Sequence, residues 1–279
     1  MRHAVFLGAA LALAIAVPAA AQDSDVDQGK LAGDYLAVGV GAGYGPSYEG
    51  SDDYVVFPVP LVQGRLGGIG INPRGGGVAL DFVPDPPDGP GFNAGIVGKV
   101  RLTRTHDTHD AVVNRLGKLD TAIEVGPTVG VSFPHVLNKY DTLTFTADVL
   151  WDVGGAYGGM VVDPLISYST PLSRGILANL SVNAEWGDRK FAQYYYSITP
   201  AQSAASGLPV FDAKSGFNKA GARLLVGIDL DGDLTNGGAA IFVLGGYTRQ
   251  LGDGKRTPLT RLRGSPDQFL AAAGFGFTF

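Results

Sequence analysis

Apolar and polar residues alternate with a period of two along most of the chain after residue 33. The last eleven residues show this pattern most clearly, because the odd positions from Phe269 to Phe279 are apolar while the even positions are mostly small. Successive side chains of a strand point to opposite faces, so this stretch predicts a strand with one large apolar face. About ten residues is also the length of a strand that crosses a bilayer at a tilt.

Twelve segments show the same alternation, provided that the stretch 66–83 is divided into two short strands. The second segment is the weakest, because Pro58 and Pro60 share one face and require a bulge or a local break. Its other face carries Val55, Phe57, Val59 and Leu61, which we expect to form its apolar outer surface. The predicted strands are 34–44, 54–65, 66–72, 76–83, 92–103, 121–133, 142–153, 159–171, 176–186, 217–230, 238–249 and 269–279.

The segments predict an all-β fold, namely an antiparallel transmembrane β-barrel of about 12 strands, with 10 strands as the fallback. An even count places the long segments 104–118, 187–216 and 250–266 at one end and the C-terminus at the other, as bacterial single-chain barrels require. Closure also removes the exposed sheet edges. The alternative is a soluble β-sandwich, in which the polar face would simply be the solvated side.

Charged residues within the predicted strands fall on the face opposite the apolar one. In a barrel this face lines the lumen, where residues of both signs can pair, while aromatic residues at strand ends such as Trp151 and Trp186 form girdles on the outer face. The predicted lumen-facing charges are Lys99, Arg101, Glu124, Asp148, Asp152, Asp163, Glu185, Arg223 and Asp229.

The two ends of the chain carry targeting patterns. A short basic start and an apolar run precede Pro18 and three alanines, which predicts a cleaved signal peptide over residues 1–21 with cleavage between Ala21 and Gln22. Residues 22–33 are polar and predict a flexible periplasmic lead-in to a single barrel domain within 22–279. At the other end, Phe275, Phe277 and Phe279 resemble the C-terminal insertion signal that the outer-membrane assembly machinery reads.

Composition narrows the possibilities further. Hydrophobic residues make up 45% of the chain and charged residues 17%, and there are 42 glycines, which disfavour helices. The segment after residue 21 has no apolar run long enough for a membrane helix. The absence of cysteine excludes disulfides and thiol chemistry. A formal net charge of −5 argues against nucleic acid as a partner.

Few residues suggest chemistry. His106 and His109 lie in an acidic run that could contribute to a metal site, but no further ligands fix one, so we expect a solvated loop. No serine lies in a nucleophile motif. We therefore predict no catalytic, metal or cofactor site and no enzymatic activity. Two interpretations fit the segment Tyr194, Tyr195 and Tyr196: the rings pack over the barrel mouth, or they form an exposed patch that binds a ligand.

Several segments together resemble the MipA/OmpV family of outer-membrane proteins. They are residues 46–52 with the following strand 57–60, the long segment from Tyr194 to Pro209, and the region 257–269 before the last strand. The resemblance spans nearly the whole mature chain and implies a cell outer membrane location. It also implies a scaffold that joins a lytic murein transglycosylase to a bifunctional penicillin-binding protein in peptidoglycan synthesis, although other members are linked to adhesion, stress and antibiotic response.

Three functions therefore compete. The first is the scaffold, whose contacts would lie on the periplasmic surface. The second is a narrow channel for small solutes, since a barrel of about twelve strands is wider than a side-chain-filled barrel of eight. The third, an enzyme, is the least favoured. The expected surroundings are outer-membrane lipid and the barrel assembly machinery.

Overall fold

The computed structural model describes residues 33–84, 86 and 89–279. Its strands close into one antiparallel barrel, in which each strand pairs with its neighbours in sequence and β1 pairs with β12. The count of twelve strands is confirmed over the fallback of ten, and the stretch 66–83 does form two short strands. The proposed signal peptide, its cleavage site and most of the lead-in lie outside the described residues. The strands are β1 Tyr35–Pro46, β2 Tyr54–Leu66, β3 Ile69–Arg74, β4 Gly77–Asp81, β5 Gly91–Arg101, β6 Ala122–Pro134, β7 Thr142–Asp152, β8 Met160–Ser173, β9 Ile176–Gly187, β10 Gly216–Asp229, β11 Gly238–Gln250 and β12 Asp267–Thr278.

The connections differ in length between the two ends of the barrel. We call one end the loop end, which carries the connections 47–53, 75–76, 102–121, 153–159, 188–215 and 251–266. The other is the turn end, which carries the connections 67–68, 82–90, 135–141, 174–175 and 230–237 together with Phe279. All three long segments predicted from the strand count therefore lie at the same end.

The loop end contains short helices that the sequence pattern did not predict. They are α1 Ala111–Asn114, α2 Arg189–Tyr196, α3 Pro200–Ser206, α4 Gly252–Arg256 and α5 Pro258–Arg263. Helix α3 begins at a capping box formed by Thr199 and Gln202 and ends at Gly207 in the left-handed conformation. Among the described residues, no helix is long and apolar enough to cross a membrane. The long predicted loop 187–216 thus contains two helices, α2 and α3, which account for about half of it.

Side chains on the outer surface of the barrel are predominantly large and apolar. Phe275 is 67% exposed and Leu180 48% exposed, and both belong to the predicted apolar faces. Strand β2 is the exception, because Val56, Pro58 and Pro60 are the exposed positions while Phe57 points inward against Gly43. The expected outer surface of Val55, Phe57, Val59 and Leu61 was therefore wrong. Here the interior is itself partly apolar.

Glycines allow the interior to be filled between β1 and β12. Gly41 lies opposite Gly274, and the ring of Phe242 from β11 packs over both. A Cβ at Gly41 would lie 2.3 Å from the carbonyl oxygen of Ala273 and 2.8 Å from the Phe242 ring. These positions therefore require glycine because backbone and an aromatic ring occupy the space of a side chain.

One seam of the barrel is incomplete. Strand β2 pairs with β1 over its full length, from Tyr35↔Arg65 to Pro46↔Tyr54. On its other side it pairs with β3 at only three residues, 64–66. The described residues give positions 54–63 of β2 no ladder partner on that side. The local break that the two prolines require thus falls on the β3 side of the strand.

Candidate functional site at the loop end

A cluster of charged side chains fills the barrel beneath the loop end. Arg101, at the end of β5, donates from Nε to Oε1 of Glu124 at 2.8 Å and from Nη2 to Oε2 of Glu185 at 2.8 Å. Its Nη1 donates to Oε1 of Glu49 at 2.8 Å. Lys219 contacts the same Glu49 oxygen at 2.5 Å and Glu185 at 3.1 Å. Two cations thus face three carboxylates, and the five residues come from four strands and the connection 47–53.

Aromatic side chains cover this cluster from above. The guanidinium of Arg101 lies 4.8 Å from the centroid of the Phe191 ring and 5.6 Å from that of Tyr195, within the range of cation–π attraction. The hydroxyl of Tyr157 donates to Glu124 at 2.8 Å, and that of Tyr196 donates to Glu49 at 2.9 Å. The Tyr196 hydroxyl satisfies Oε2 of Glu49, and the Tyr157 hydroxyl adds a second donor to Oε1 of Glu124, which also accepts from Arg101.

Helix α2 carries three of these aromatic residues and is fixed at both ends. Its N-cap Asp188 accepts a hydrogen bond from the backbone N–H of Phe191 at 2.8 Å. At its C-terminal end, the hydroxyl of Thr257 donates to the carbonyl oxygen of Tyr196 at 2.7 Å. Tyr195 and Tyr196 are buried, so they pack over the barrel mouth and do not form an exposed patch. The helix therefore closes the loop end.

The surrounding loops form an apolar cluster of their own above the barrel. It joins the connection 47–53 to α1, α3 and α5 through Tyr48, Val113, Leu116, Ile198, Leu208 and Leu259. Polar contacts reinforce it, because Arg263 pairs with Asp110 at 2.7 Å and Gln202 donates to the carbonyl oxygen of Leu116 at 3.0 Å. The cap is thus a packed assembly of four connections.

The electrostatics of the cap follow from this geometry. Burial alone would raise the pKa of Glu49, but the neighbouring Lys219 and Arg101 outweigh it and lower the pKa to about 2. Burial, followed by Glu49 and Glu185, raises the pKa of Tyr196 well above its usual value. At neutral pH the cap therefore contains an ionised Glu49 that accepts from a neutral tyrosine.

The remaining charges predicted from the sequence divide into three groups. Lys99 pairs with Asp163, and Asp148 pairs with Arg74 at 2.9 Å, so both pairs span the lumen. Arg223 makes no hydrogen bond or ion pair with any described residue, and its Nη1 lies beside Gly75.

The third group bonds to the backbone at the ends of the barrel. Asp152 accepts from the N–H groups of Gly154, Gly155, Tyr157 and Gly158 at the loop end. Asp229 accepts from those of Asp231, Gly232 and Asp233 at the turn end. These two carboxylates order connections instead of pairing across the lumen.

Three charged residues that form ion pairs in the interior were missed from the sequence, namely Lys219, Arg74 and Glu49. Lys219 has the same strand parity as Arg223, so alternation could have identified it, although a register shift between Phe217 and Lys219 obscures the start of β10. Arg74 lies in the short strand β3, whose parity also predicts an inward side chain. No sequence signal points to Glu49, because it lies in a connection and reaches the cluster only through the fold.

Two cavities occupy the lumen below the cap. One has a volume of about 310 Å³ and is bordered by Leu61, Gln63, the segment 72–75, Lys99 and Arg223, among others. The second, of about 420 Å³, lies nearer the connection 82–90 and is rich in Ser, Thr and Asn side chains. Asn72 and Arg74 border both cavities, so the β3–β4 hairpin separates them.

The predicted loop histidines remain outside this site. Among the residues that the structure describes, His106 forms a hydrogen bond with the hydroxyl of Thr105, at 2.9 Å, and both His106 and the run around it are largely exposed. Within the described ranges, no three His, Cys, Asp or Glu side chains are arranged to hold a metal ion. The charged cluster beneath α2 is therefore the main candidate for a functional feature at the loop end.

A closed twelve-stranded antiparallel barrel with an apolar outer surface and a charged interior defines an outer-membrane β-barrel protein. The protein accordingly resides in the outer membrane. The family profile described as "MltA-interacting protein MipA" matches residues 38–279. The chain belongs to this family, as the sequence resemblance predicted.

Solved structures similar to this chain are also outer-membrane barrels. The NanC porin is 8% identical, with a TM-score of 0.45, and the match covers 87% of this chain and 98% of that one. An outer membrane channel from Pseudomonas putida F1 is 14% identical, with a TM-score of 0.46, and the match covers 92% and 100%. A search of curated proteins found no significant match.

Proposed function

We propose that this protein is a non-conducting outer-membrane scaffold, without catalytic activity, that binds a lytic murein transglycosylase at its turn end. The observation that carries the proposal is the closed loop end, where α2 and the cluster around Arg101 occupy the mouth. A packed, hydrogen-bonded cap that fills the mouth blocks the passage of solutes through the lumen, so the barrel is better suited to binding than to transport. The family description, MltA-interacting protein, supports a murein transglycosylase as the partner.

The orientation in the membrane follows from the lengths of the connections. Bacterial barrels have short periplasmic turns and longer outer loops. This rule assigns the turn end, together with the C-terminus, to the periplasm. The turn end would then face peptidoglycan and the enzymes that act on it, including a bifunctional penicillin-binding protein if the scaffold joins the two.

The turn 135–141 is the best candidate for the contact surface. The side chain of Asp141 accepts from the backbone N–H groups of Val136, Leu137 and Asn138 at 2.7, 2.8 and 3.0 Å, and from the Tyr168 hydroxyl at 2.7 Å. This bonding fixes the turn while Leu137 remains 78% exposed. A fixed turn with an exposed apolar side chain suits protein binding because little entropy is lost on association.

Recovery of the transglycosylase with the purified barrel tests the scaffold. We expect the unmodified protein to retain the enzyme in detergent and Leu137→Ser to weaken retention. Leu102→Ser is the matched control, since Leu102 is 58% exposed but lies at the loop end. Equal retention by both variants would reject this turn as the contact, and no retention by the unmodified protein would reject the scaffold.

A narrow channel is the second candidate, and the two cavities in the lumen favour it. Planar-bilayer recordings separate the two functions. We expect the folded protein to be silent because the cap occupies the mouth. Steady conductance of the unmodified protein would favour the channel, and Arg223→Glu should then change its ion selectivity.

A further inference from the structure

The unpaired edge of β2 lies directly against the smaller cavity. Leu61 and Gln63 of β2 and the segment 72–75 of the β3–β4 hairpin border that cavity from the two sides of the incomplete seam. Continuing the register of β2 and β3 would place Val62 opposite Pro73, but the ladder ends at Gly64↔Ile71. The β2–β3 ladder of the barrel wall is therefore interrupted at the strand positions that border the cavity.

Prolines on both edges explain why the ladder stops. The turn 67–68 makes Leu66↔Ile69 a hydrogen-bonded pair, so the next hydrogen-bonded pairs would be 64↔71 and 62↔73, after which β3 ends at Arg74. The pair 62↔73 contains Pro73, and Pro60 and Pro58 occupy the next two positions of β2 whose backbone faces this side. The pair 62↔73 would lack one of its two hydrogen bonds because proline has no N–H, and Pro60 and Pro58 have no N–H to donate to any partner on this side.

The same parity accounts for the intact pairing on the other sides of these strands. The prolines of β2 sit opposite Val40 and Ala42 without disturbing the ladder with β1, because their nitrogens face away from it. Pro73 likewise faces away from β4, where the Arg74↔Gly77 pair flanks the turn. All three missing donors therefore lie on the seam. Unpaired backbone is tolerated at membrane depth only where it borders protein or a water-filled cavity.

An unpaired cation lies on the far side of the cavity. Arg74 pairs with Asp148 and Lys99 with Asp163, which leaves the guanidinium of Arg223 without a carboxylate among the described residues. A Cβ on Gly75, at the tip of the hairpin, would lie 3.0 Å from Nη1 of Arg223. The guanidinium thus reaches the hairpin that borders the seam.

We propose that the seam between β2 and β3 is a lateral opening through which a single-chain anionic amphiphile enters from the bilayer, with its head group held by Arg223. The cavity carries three cations and two carboxylates, so an anionic head completes its charge balance. A volume of about 310 Å³ accommodates a head group and a short part of the chain. The rest of the chain lies along the apolar outer side of the seam, beside Val62 and Pro60.

Binding of 11-dansylamino-undecanoic acid to the protein in phosphatidylcholine nanodiscs tests the site. We expect saturable fluorescence enhancement, weakened by about tenfold or more in Arg223→Gln and largely kept in Arg223→Lys, because a charge-assisted hydrogen bond is lost only in the first. Arg249→Gln is the matched control, since Arg249 lies near the loop end and pairs with Asp267. Equal affinity in Arg223→Gln would overturn the assignment.

Competitors identify which part of the ligand is recognised. Dodecyl phosphate should displace the probe, whereas dodecanol should not, because it lacks the charge. Inorganic phosphate should compete only weakly. Displacement by inorganic phosphate as effectively as by dodecyl phosphate would show a plain anion site and overturn the amphiphile. Displacement by dodecanol would overturn the role of charge.

Cross-linking the seam tests the route. The chain contains no cysteine, so Val62→Cys with Pro73→Cys introduces a unique pair of thiols. A short bis-maleimide that joins them should slow probe uptake from the membrane, while each single cysteine variant treated in the same way should not. Unchanged uptake in the cross-linked, heat-modifiable protein would show that the ligand enters elsewhere.

Discussion

Replacing Arg101 with methionine is expected to release helix α2 from the barrel mouth. Arg101 makes three hydrogen bonds of 2.8 Å to three different carboxylates and a fourth of 3.3 Å to Glu124. Without it, Lys219 would be the one cation left in the cluster for Glu49, Glu124 and Glu185. Methionine preserves much of the apolar volume under Phe191, so the variant removes mainly charge.

The expected magnitude follows from the uncompensated carboxylates. Removing one partner of a buried ion pair costs about 3–5 kcal/mol. Because the cluster connects α2 to the barrel mouth, we expect most of this loss to appear in the free energy of local opening of the cap, and less in the free energy of barrel assembly. A loss of about 3 kcal/mol accelerates amide exchange in α2 by more than about a hundredfold.

Hydrogen exchange of the detergent-solubilised, heat-modifiable protein measures this opening. The matched control is Arg249→Met, which removes the same residue type from a pair with Asp267 that is about half exposed. A pair of this kind contributes less than about 1 kcal/mol. Adding Glu124→Gln to Arg101→Met should restore part of the protection, since it removes one uncompensated charge. Exchange in α2 that is equal in Arg101→Met and Arg249→Met would refute the reasoning.

Four further predictions concern separate parts of the molecule. Leu180→Arg should make the free energy of barrel assembly less favourable by about 2–4 kcal/mol because it puts a charge on the lipid face, while the inward Asn179→Arg should cost much less. Equal fractions of folded, heat-modifiable protein in the two variants would contradict the assigned faces. The pKa of Glu49 lies below its usual 4.5, so its stabilisation of the cap is full above pH 4.5 and is lost as the pH falls towards about 2. Hydrogen exchange of the cap should accelerate over this range, and less so in Glu49→Gln; a cap that tightens on acidification would oppose this. Thr199→Ala should cost about 1 kcal/mol, seen as faster exchange confined to α3. Phe279→Ala should lower assembly yield in cells more than it lowers stability of the folded barrel, and an unchanged yield would argue against an insertion signal.

The strands could be predicted from the sequence because the alternating pattern depends only on residues that are adjacent in the chain. Alternation between the lipid and the lumen requires only that neighbouring side chains point apart, so strands such as β9 could be predicted within a few residues. The face of β2 could not, because Phe57 is apolar yet fills space over Gly43 inside the barrel. Hydrophobicity alone does not distinguish the lipid from a filled interior.

The cap shows a different limit. Helix α3 did carry local signals, namely Thr199 and Gln202 at capping-box spacing and Gly207 at its end, but the high glycine content favoured a loop interpretation. The cluster around Arg101 had no comparable signal. Glu49 is 52 residues away from Arg101 in sequence, and only closure of the barrel brings them together.

The closed mouth and the incomplete seam bear on each other. With α2 in the mouth, a ligand can reach the lumen only from the turn end or through the wall. Extending the ladder to 62↔73, the next hydrogen-bonded pair before β3 ends, would add two hydrogen bonds in a chain without proline, but one of them is impossible here. At about 1 kcal/mol per bond, closure gains roughly half of what an ordinary ladder gains. An amphiphile that covers the unpaired edge of β2 therefore has to compete only with a weakened β2–β3 pairing. A soluble anion that enters from the turn end gains no binding energy from the seam.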